Sequence, residues 1–197
     1  GTNGYSGTVD THVRSDNPTT SYGTVVAVLV DNLSPLSHGL LRFENMFGAG
    51  AGQIPLNATI ASAKLTLRTD NWGNDIRIHR ALVPWSNAST WNDVGSPNDG
   101  VNPATLDEVS TQEALLLPDA VGIFVTVDLT SSVRFWHTNG GPNYGWSMHD
   151  TSDDGYQFNS SEAVDITNRP LLTVSFTPSG ATNPVTIVTQ PAPSTTI

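Results

Sequence analysis

Hydrophobic and polar residues alternate with a period of two along much of this chain. The alternation is strictest in residues 63–68 and 76–80, and it recurs in residues 9–14, 123–128 and 172–176. In an antiparallel sheet with one buried face, side chains alternate in this way between the core and water. Further strands are predicted at residues 25–30, 40–43, 144–149 and 156–159. The pattern therefore predicts an all-β chain of antiparallel strands.

One segment has a helical pattern instead. Residues 130–140 begin with Thr130, a residue type favoured at helix N-caps, and end in an Asn-Gly pair, which favours helix termination. Val133 and Trp136 are three residues apart, so they lie on one face of a helix. This spacing predicts a short helix held on the sandwich by Trp136. Residues 92–118 mix turn residues with acids and are predicted to be mostly loop.

The composition changes after Phe176. Residues 177–184 resemble a linker, and residues 185–189 alternate again between two prolines. We therefore predict one antiparallel β-sandwich with a single short helix over residues 1–177. A linker or strand-forming tail follows over residues 178–197.

The tail presents Val185 and Ile187 on one edge, which makes them candidate assembly residues. An isolated strand this short is not stable in water, so it must pair with the edge of a sheet. That edge belongs either to its own domain, giving a monomer, or to a neighbouring copy, giving a head-to-tail filament. Both remain open, and we slightly favour the neighbouring copy because the linker can span outward as easily as it can fold back.

Charge and composition exclude several classes of partner. Lysine and arginine number 8 against 18 acids, for a net charge of −10, and this excludes nucleic acid and disfavours anionic membranes. The chain has no cysteine, which excludes disulfides and thiol catalysis. Its longest apolar run, residues 25–30, is far shorter than the roughly 20 residues of a membrane span. Few lysines with many Thr, Ser, Asn and Gly residues favour an extracellular or cell-surface location.

Acidic residues are concentrated in the middle of the chain. No Lys or Arg occurs between Ala81 and Val133. The acids there are Asp93, Asp99, Asp107, Glu108, Glu113, Asp119 and Asp128. A solvated acidic rim is the favoured interpretation, with cation binding as the alternative.

Several motifs occur in an order that is typical of a known family. They include DTHVR at residues 10–14, LLRF at 40–43, PWS at 84–86, NYGW at 143–146 and RPLLTV at 169–174. Over about residues 8–177 the chain resembles the DNRLRE-type β-sandwich domain, which overlaps carbohydrate-binding module family 96. The resemblance implies an all-β, jelly-roll-like sandwich. Such a domain is usually a non-catalytic part of a larger secreted polysaccharide-degrading or surface protein, often with bound calcium. The scarcity of Lys and Arg argues against an acidic ligand such as alginate.

An oxygen-rich segment at residues 150–162 is the candidate calcium site. Asp150, Ser152 and Asp154 occupy alternate positions, as in an EF-hand loop, and a glycine follows. Glu162 is one residue beyond the usual bidentate position. We predict that these four residues bind Ca²⁺, with a polar hairpin turn as the alternative.

A second polar segment contains the candidate sugar platform. Trp72 lies among Asn71, Asn74 and Asp75, so that a sugar ring could stack on the indole while its hydroxyls bond to the neighbouring side chains. The alternative is that Trp72 folds back over the end of the sandwich. The remaining tryptophans are expected to pack in the core or at its edge, and they are Trp85, Trp91, Trp136 and Trp146.

No catalytic constellation is visible in the sequence. The five histidines lack metal-ligand spacing such as HExxH, and no GxSxG motif is present. We therefore predict a secreted, non-catalytic accessory module that binds a polysaccharide or cell-surface glycan and is stabilised by calcium. The alternative is a structural subunit of an extracellular filament or surface layer, which binds neighbouring copies of itself through the donated C-terminal strand.

Overall fold

The structure is a computed structural model that describes residues 5–95, 99–102, 104 and 106–189. Over these residues the chain forms eleven strands and one α-helix. The first six strands are β1 (Thr8–Arg14), β2 (Ala27–Val30), β3 (Ser37–Phe43), β4 (Thr59–Asn71), β5 (Ile76–Arg80) and β6 (Ala114–Leu116). The other elements are β7 (Phe124–Asp128), α1 (Thr130–Asn139), β8 (Trp146–Asp150), β9 (Tyr156–Asn159), β10 (Leu171–Thr177) and β11 (Val185–Thr189).

The strands form two antiparallel sheets that pack face to face. The five-stranded sheet has the order β1-β3-β8-β5-β6, and the six-stranded sheet has the order β11-β10-β4-β9-β2, with β7 also paired to β4. The predicted all-β sandwich with one short helix is confirmed. Every strand expected from the alternation is present. Strand β6 is an addition, because residues 92–118 were expected to be mostly loop.

The core between the sheets follows directly from the alternation. In β4, Leu65 and Leu67 are fully buried while Lys64 between two buried neighbours is exposed. The largest fully buried side chains are Trp146, Tyr156, Phe43 and Phe158. Burying large side chains of this kind contributes roughly 1.5–3 kcal/mol each, which makes this layer the main source of stability.

Helix α1 packs on the sandwich as predicted. Trp136 is only 3% exposed, and its ring centre lies 5.0 Å from that of Trp146. The N-terminus differs from the expectation: the N-cap is Leu129, and Thr130 is the first helical residue. The Asp128 carboxylate accepts the backbone N–H of Thr130 at 2.9 Å instead. In the described ranges, no helix has both the length and the apolar character needed to cross a membrane.

A second apolar cluster covers part of the outer face of the five-stranded sheet. Val13 and Leu40 contribute from the strands. The side chains that pack against them come from the connection after β5, and they are Trp85, Trp91, Val94 and Val101. The prediction that Trp85, Trp91, Trp136 and Trp146 serve packing is therefore confirmed, since each is at most 8% exposed.

The tail strand β11 pairs with β10 of its own chain. The register runs from Phe176 opposite Val185 to Leu172 opposite Thr189. A tight turn reverses the chain before it, with the Ala181 N–H donating to the Pro178 carbonyl at 3.1 Å. Of the two edges that the sequence allows, the structure therefore shows the strand on its own sheet. Residues 190–197 lie outside the described part of the chain.

The two candidate assembly residues have different environments. Ile187 is 8% exposed and belongs to the main core, whereas Val185 is 47% exposed. Ile187 is therefore already used for packing within this domain.

Candidate functional site

An open cleft lies on the outer face of the five-stranded sheet. Its volume is about 450 Å³. It is lined by Asn32, Arg77, His79, Glu108, Ser110, Gln112, His149 and Asp150. The alternation of β5 places Arg77 and His79 on this face because Ile76 and Ile78 face the core. We call this surface the main cleft.

A second cleft of about 300 Å³ adjoins the main cleft. The two share His149 of β8 as a lining residue. The second cleft is lined in addition by Leu36, His38, Trp91, Asp99, Val101 and Asn102. Together the two clefts form a surface with polar groups at one end and apolar side chains at the other.

Glu108 is the central acid of the main cleft. It is 1% exposed, and a short β-bridge between Ala81 and Glu108 holds its backbone against the end of β5. Its Oε2 accepts a hydrogen bond from Ser147 and lies 2.7 Å from His149 Nε2. Its Oε1 lies 3.8 Å from His79 Nδ1. The predicted solvated acidic rim is therefore wrong for Glu108, because the segment folds back onto the sheet.

Asp107 departs from the predicted acidic rim in the same way. Its side chain is 2% exposed, and its Oδ2 accepts the backbone N–H of Asn102 at 3.3 Å. Asp93 and Asp119, by contrast, are exposed as expected.

Three histidines form a row of contacting rings across the two clefts. The ring centres of His38 and His149 are 4.5 Å apart, and those of His79 and His149 are 5.8 Å apart. His38 also lies against Trp91, with 4.9 Å between ring centres. Burial, with a smaller contribution from His149, lowers the pKa of His38 to about 3. His38 is therefore neutral at physiological pH.

Several buried polar atoms in the clefts have no hydrogen-bond partner among the described residues. They are Glu108 Oε1, Asp150 Oδ2, Asp99 Oδ1 and His38 Nδ1. Leaving such an atom buried and unpaired costs about 1–3 kcal/mol. All three carboxylate oxygens are hydrogen-bond acceptors, so a ligand that offers donors satisfies them.

The predicted calcium ligands are only partly brought together. Asp150 is 2% exposed, its Oδ1 accepts the Ser152 N–H at 2.9 Å, and the Ser152 hydroxyl donates to Asp153. Burial raises the pKa of Asp150, and the charges of Asp31 and Asp154 raise it further. Asp31, which the sequence analysis did not select, thus joins two of the predicted ligands.

Glu162 lies elsewhere, at the other end of β9. The four residues of that strand span about 13 Å, and Glu162 faces Asp10 instead of the Asp150 segment. Residues 151–155 connect β8 of one sheet to β9 of the other, so the polar hairpin alternative is wrong as well. Across the described residues, no group of three or more His, Cys, Asp or Glu side chains is arranged to hold a metal ion.

Asp10 and Glu162 form a carboxyl pair that sequence reasoning missed. Asp10 is 1% exposed, and its Oδ2 accepts the Ser161 N–H at 2.8 Å. Burial raises the pKa of Asp10 to about 7, and the neighbouring Glu162 raises it further while the Ser161 hydrogen bond lowers it. The alternation assigned Asp10 to the polar face of β1, and only the approach of residues 160–162 buries it.

The predicted sugar platform is a turn packed against residues 151–155. The Asn71 amide donates to the Gly155 carbonyl at 2.9 Å, and the Asn74 N–H donates to the Asp154 carbonyl at the same distance. The Asp75 carbonyl accepts the Thr151 N–H at 3.0 Å. Trp72 itself is 52% exposed. The turn thus borders the Asp150 end of the main cleft, and its amides are partly used for structure.

A comparison with known protein families matches residues 2–176 to carbohydrate-binding module family 96. The matched range includes β1 to β9, α1, most of β10 and the lining residues of both clefts, and it ends before β11. A search of curated proteins finds no match to this chain.

Proposed function

This chain belongs to carbohydrate-binding module family 96, and from that premise we propose that it binds a polysaccharide or cell-surface glycan in the two clefts of the five-stranded sheet. The observation that supports this site is the set of buried carboxylate oxygens without partners, on a surface that is open to solvent. Sugar hydroxyls are donors that suit them, and a buried carboxylate makes a strong, charge-assisted acceptor.

The rest of the surface supports the same function. Arg77, Asn32 and Gln112 line the main cleft with exposed side chains that can donate to sugar oxygens. Leu36, which is half-buried, gives the second cleft apolar surface for the C–H groups of a ring. A few convergent polar groups beside apolar surface are typical of small-ligand and sugar sites.

We propose that binding occurs without cleavage. Modules of this kind are usually non-catalytic, and hydrolysis requires two carboxyl groups that flank the scissile bond. Glu108 is committed to Ser147 and His149 and is 1% exposed, which does not suit a general acid. Incubation with a bound polysaccharide should release no reducing ends, and any release above a no-protein blank would contradict this.

Secretion and calcium stabilisation also remain part of the proposal. The composition favours an extracellular or cell-surface location. For calcium, Asp150 and Asp154 with Asp31 are the residues that would hold the ion, whereas Glu162 does not fit. The described side chains do not form a complete set of metal ligands, so the proposed glycan binding does not require a calcium ion.

The filament alternative has less support. Its strand β11 already pairs with β10, and Ile187 is buried in its own domain. Deletion of residues 181–197 tests it directly by sedimentation or electron microscopy. A truncated chain that assembles, or stays monomeric, just as the parent does would remove strand donation as a mechanism.

A glycan array followed by titration tests the proposed site. Arg77→Ala and Asn32→Ala change exposed residues of the main cleft, so the fold should be retained. We expect each to weaken binding about tenfold, the equivalent of one lost hydrogen bond to a charged or polar partner. Asp119→Asn, an exposed position outside both clefts, is the control. Equal affinity of all three variants and the parent would place the site elsewhere.

A further inference from the structure

The two clefts present acceptors more than donors. Asp99, Glu108 and Asp150 each have one buried carboxylate oxygen without a partner among the described residues, and His38 has an unpartnered ring nitrogen. Asp99 uses its other oxygen to accept from the Asn102 amide at 3.1 Å. A carboxylate cannot donate, so these three oxygens can be satisfied only by donors from a ligand or solvent.

The charge of the clefts points in the same direction. Three carboxylates line them against one guanidinium, that of Arg77. His38 adds no positive charge, because burial keeps its pKa at about 3. The whole chain carries −10, so its long-range field also repels anions.

An acidic polysaccharide does not suit this surface. Each uronate or sulfate group is itself an acceptor and carries a negative charge, so it leaves the buried oxygens unpaired and meets like charge. A neutral sugar hydroxyl instead donates to a carboxylate while its oxygen accepts from Arg77 or an amide. Like charges at a binding site are a common means of excluding the wrong ligand.

We propose that the clefts select uncharged, hydroxyl-rich polysaccharides and reject polyuronates and sulfated polymers. This inference deepens the proposed function and rests on it. Vicinal hydroxyls donate to Glu108 and Asp150 in the main cleft, and the neighbouring sugar lies against Leu36 and Trp91 in the second cleft. In the calcium-free protein, selection is set by Asp99, Glu108 and Asp150, because they supply both the acceptors and the repulsion.

Affinity electrophoresis of the full chain tests this with defined probes. The gels contain a neutral glucan, a mannan, a galactan, alginate, polygalacturonate or chitosan, each at low and high salt. We expect retention by at least one neutral polymer, with less than about a twofold change between roughly 50 mM and 500 mM salt, because no ion pair is formed. Alginate and polygalacturonate should not retard the protein.

Variants that remove charge sharpen the test. Asp150→Asn and Asp99→Asn keep the shape but remove a charge and one acceptor, so neutral-polymer affinity should fall about fivefold while any residual uronate binding rises. Asp119→Asn removes the same charge at an exposed site outside the clefts and should match the parent. Thermal melting of each variant separates loss of binding from loss of folding.

Each contrary result has a distinct meaning. Salt-sensitive retention by a polyuronate that Arg77→Ala abolishes would overturn the selectivity and leave glycan binding intact. Retention by chitosan alone would replace the neutral class with a cationic one. Absence of retention by every polymer would overturn glycan binding itself, and the selectivity with it.

Discussion

Glu108 and Asp10 are equally buried, at 1% exposure each, and they differ in what faces them. Glu108 faces Ser147 and His149, and both hydrogen-bond to its Oε2. Asp10 faces another carboxylate, that of Glu162, and burial together with this neighbour raises its pKa to about 7. Burial alone thus does not decide whether an acid stabilises a fold. The partner decides it.

Glu108→Ala should produce the largest loss. The change leaves the buried Ser147 hydroxyl and the half-buried imidazole of His149 without their acceptor, and breaking a buried charged network costs about 3–5 kcal/mol. Urea denaturation with the Asp119→Asn control measures it. A loss below about 1 kcal/mol would mean that this network does not support the fold.

Asp10→Asn should instead raise the free energy of unfolding at neutral pH. Because folding raises the pKa of Asp10 from 3.8 to about 7, its contribution is fully favourable below pH 4 and is lost as the pH rises to about 7. The stability of the variant relative to the parent should therefore be about 3 kcal/mol more favourable at pH 7.5 than at pH 4.

This pH comparison uses the difference between variant and parent, because other groups titrate in the same range. Burial lowers the pKa of His12 to about 4 and of His38 to about 3. Both residues therefore lower the free energy of unfolding as the pH falls below 6.5. These contributions cancel in the difference. A stability difference that is the same at both pH values would contradict the raised pKa of Asp10.

The acids around Asp150 are the third group in this comparison. There a calcium ion would stabilise the carboxylates, in place of the hydrogen-bond donors at Glu108 or the proton on Asp10. If Asp150, Asp154 and Asp31 hold the ion, adding calcium should stabilise the parent by about 1–2 kcal/mol. Asp154→Asn should abolish the gain, while Glu162→Gln should keep it. Melting temperatures that are identical in calcium and in excess chelator would remove calcium from the description of this protein.

Trp72→Ala should have the smallest effect on folding. The side chain is 52% exposed, so its removal should change the free energy of unfolding by less than about 0.5 kcal/mol. Because its turn borders the Asp150 end of the main cleft, glycan affinity should fall if Trp72 contacts the polymer. Equal binding by variant and parent would exclude Trp72 as a sugar platform.

The comparison also shows which features local patterns can predict. Period-two alternation located β5 at its observed bounds, because burial on one face is a local property of a strand. Strand β6 was missed because Ala114, Leu115 and Leu116 do not alternate and follow a run of acids and turn residues.

The clefts could not be located from local patterns. They form where residues 99–102 and 106–113 fold over the outward side chains of β5 and β8, and that approach depends on contacts distant in sequence. A usable signal was present, however. His79 and His149 face outward on two strands, and the segment between residues 81 and 133 has acids but no Lys or Arg. These groups are complementary, and pairing them avoids leaving either one buried without a partner.

The pairing of β11 with β10 has a consequence for solubility. Without β11, the backbone groups on one side of β10 would form an open edge, ready to pair with another chain. Strand β11, which covers this edge, is five residues long. Among its residues with described side chains, only Ile187 is buried in the core. Local detachment of such a segment requires far less free energy than global unfolding. Strand β11 therefore protects this sheet against edge-to-edge aggregation, and the linker keeps the strand attached. Cleavage within residues 178–184 would remove that protection while leaving the sandwich folded.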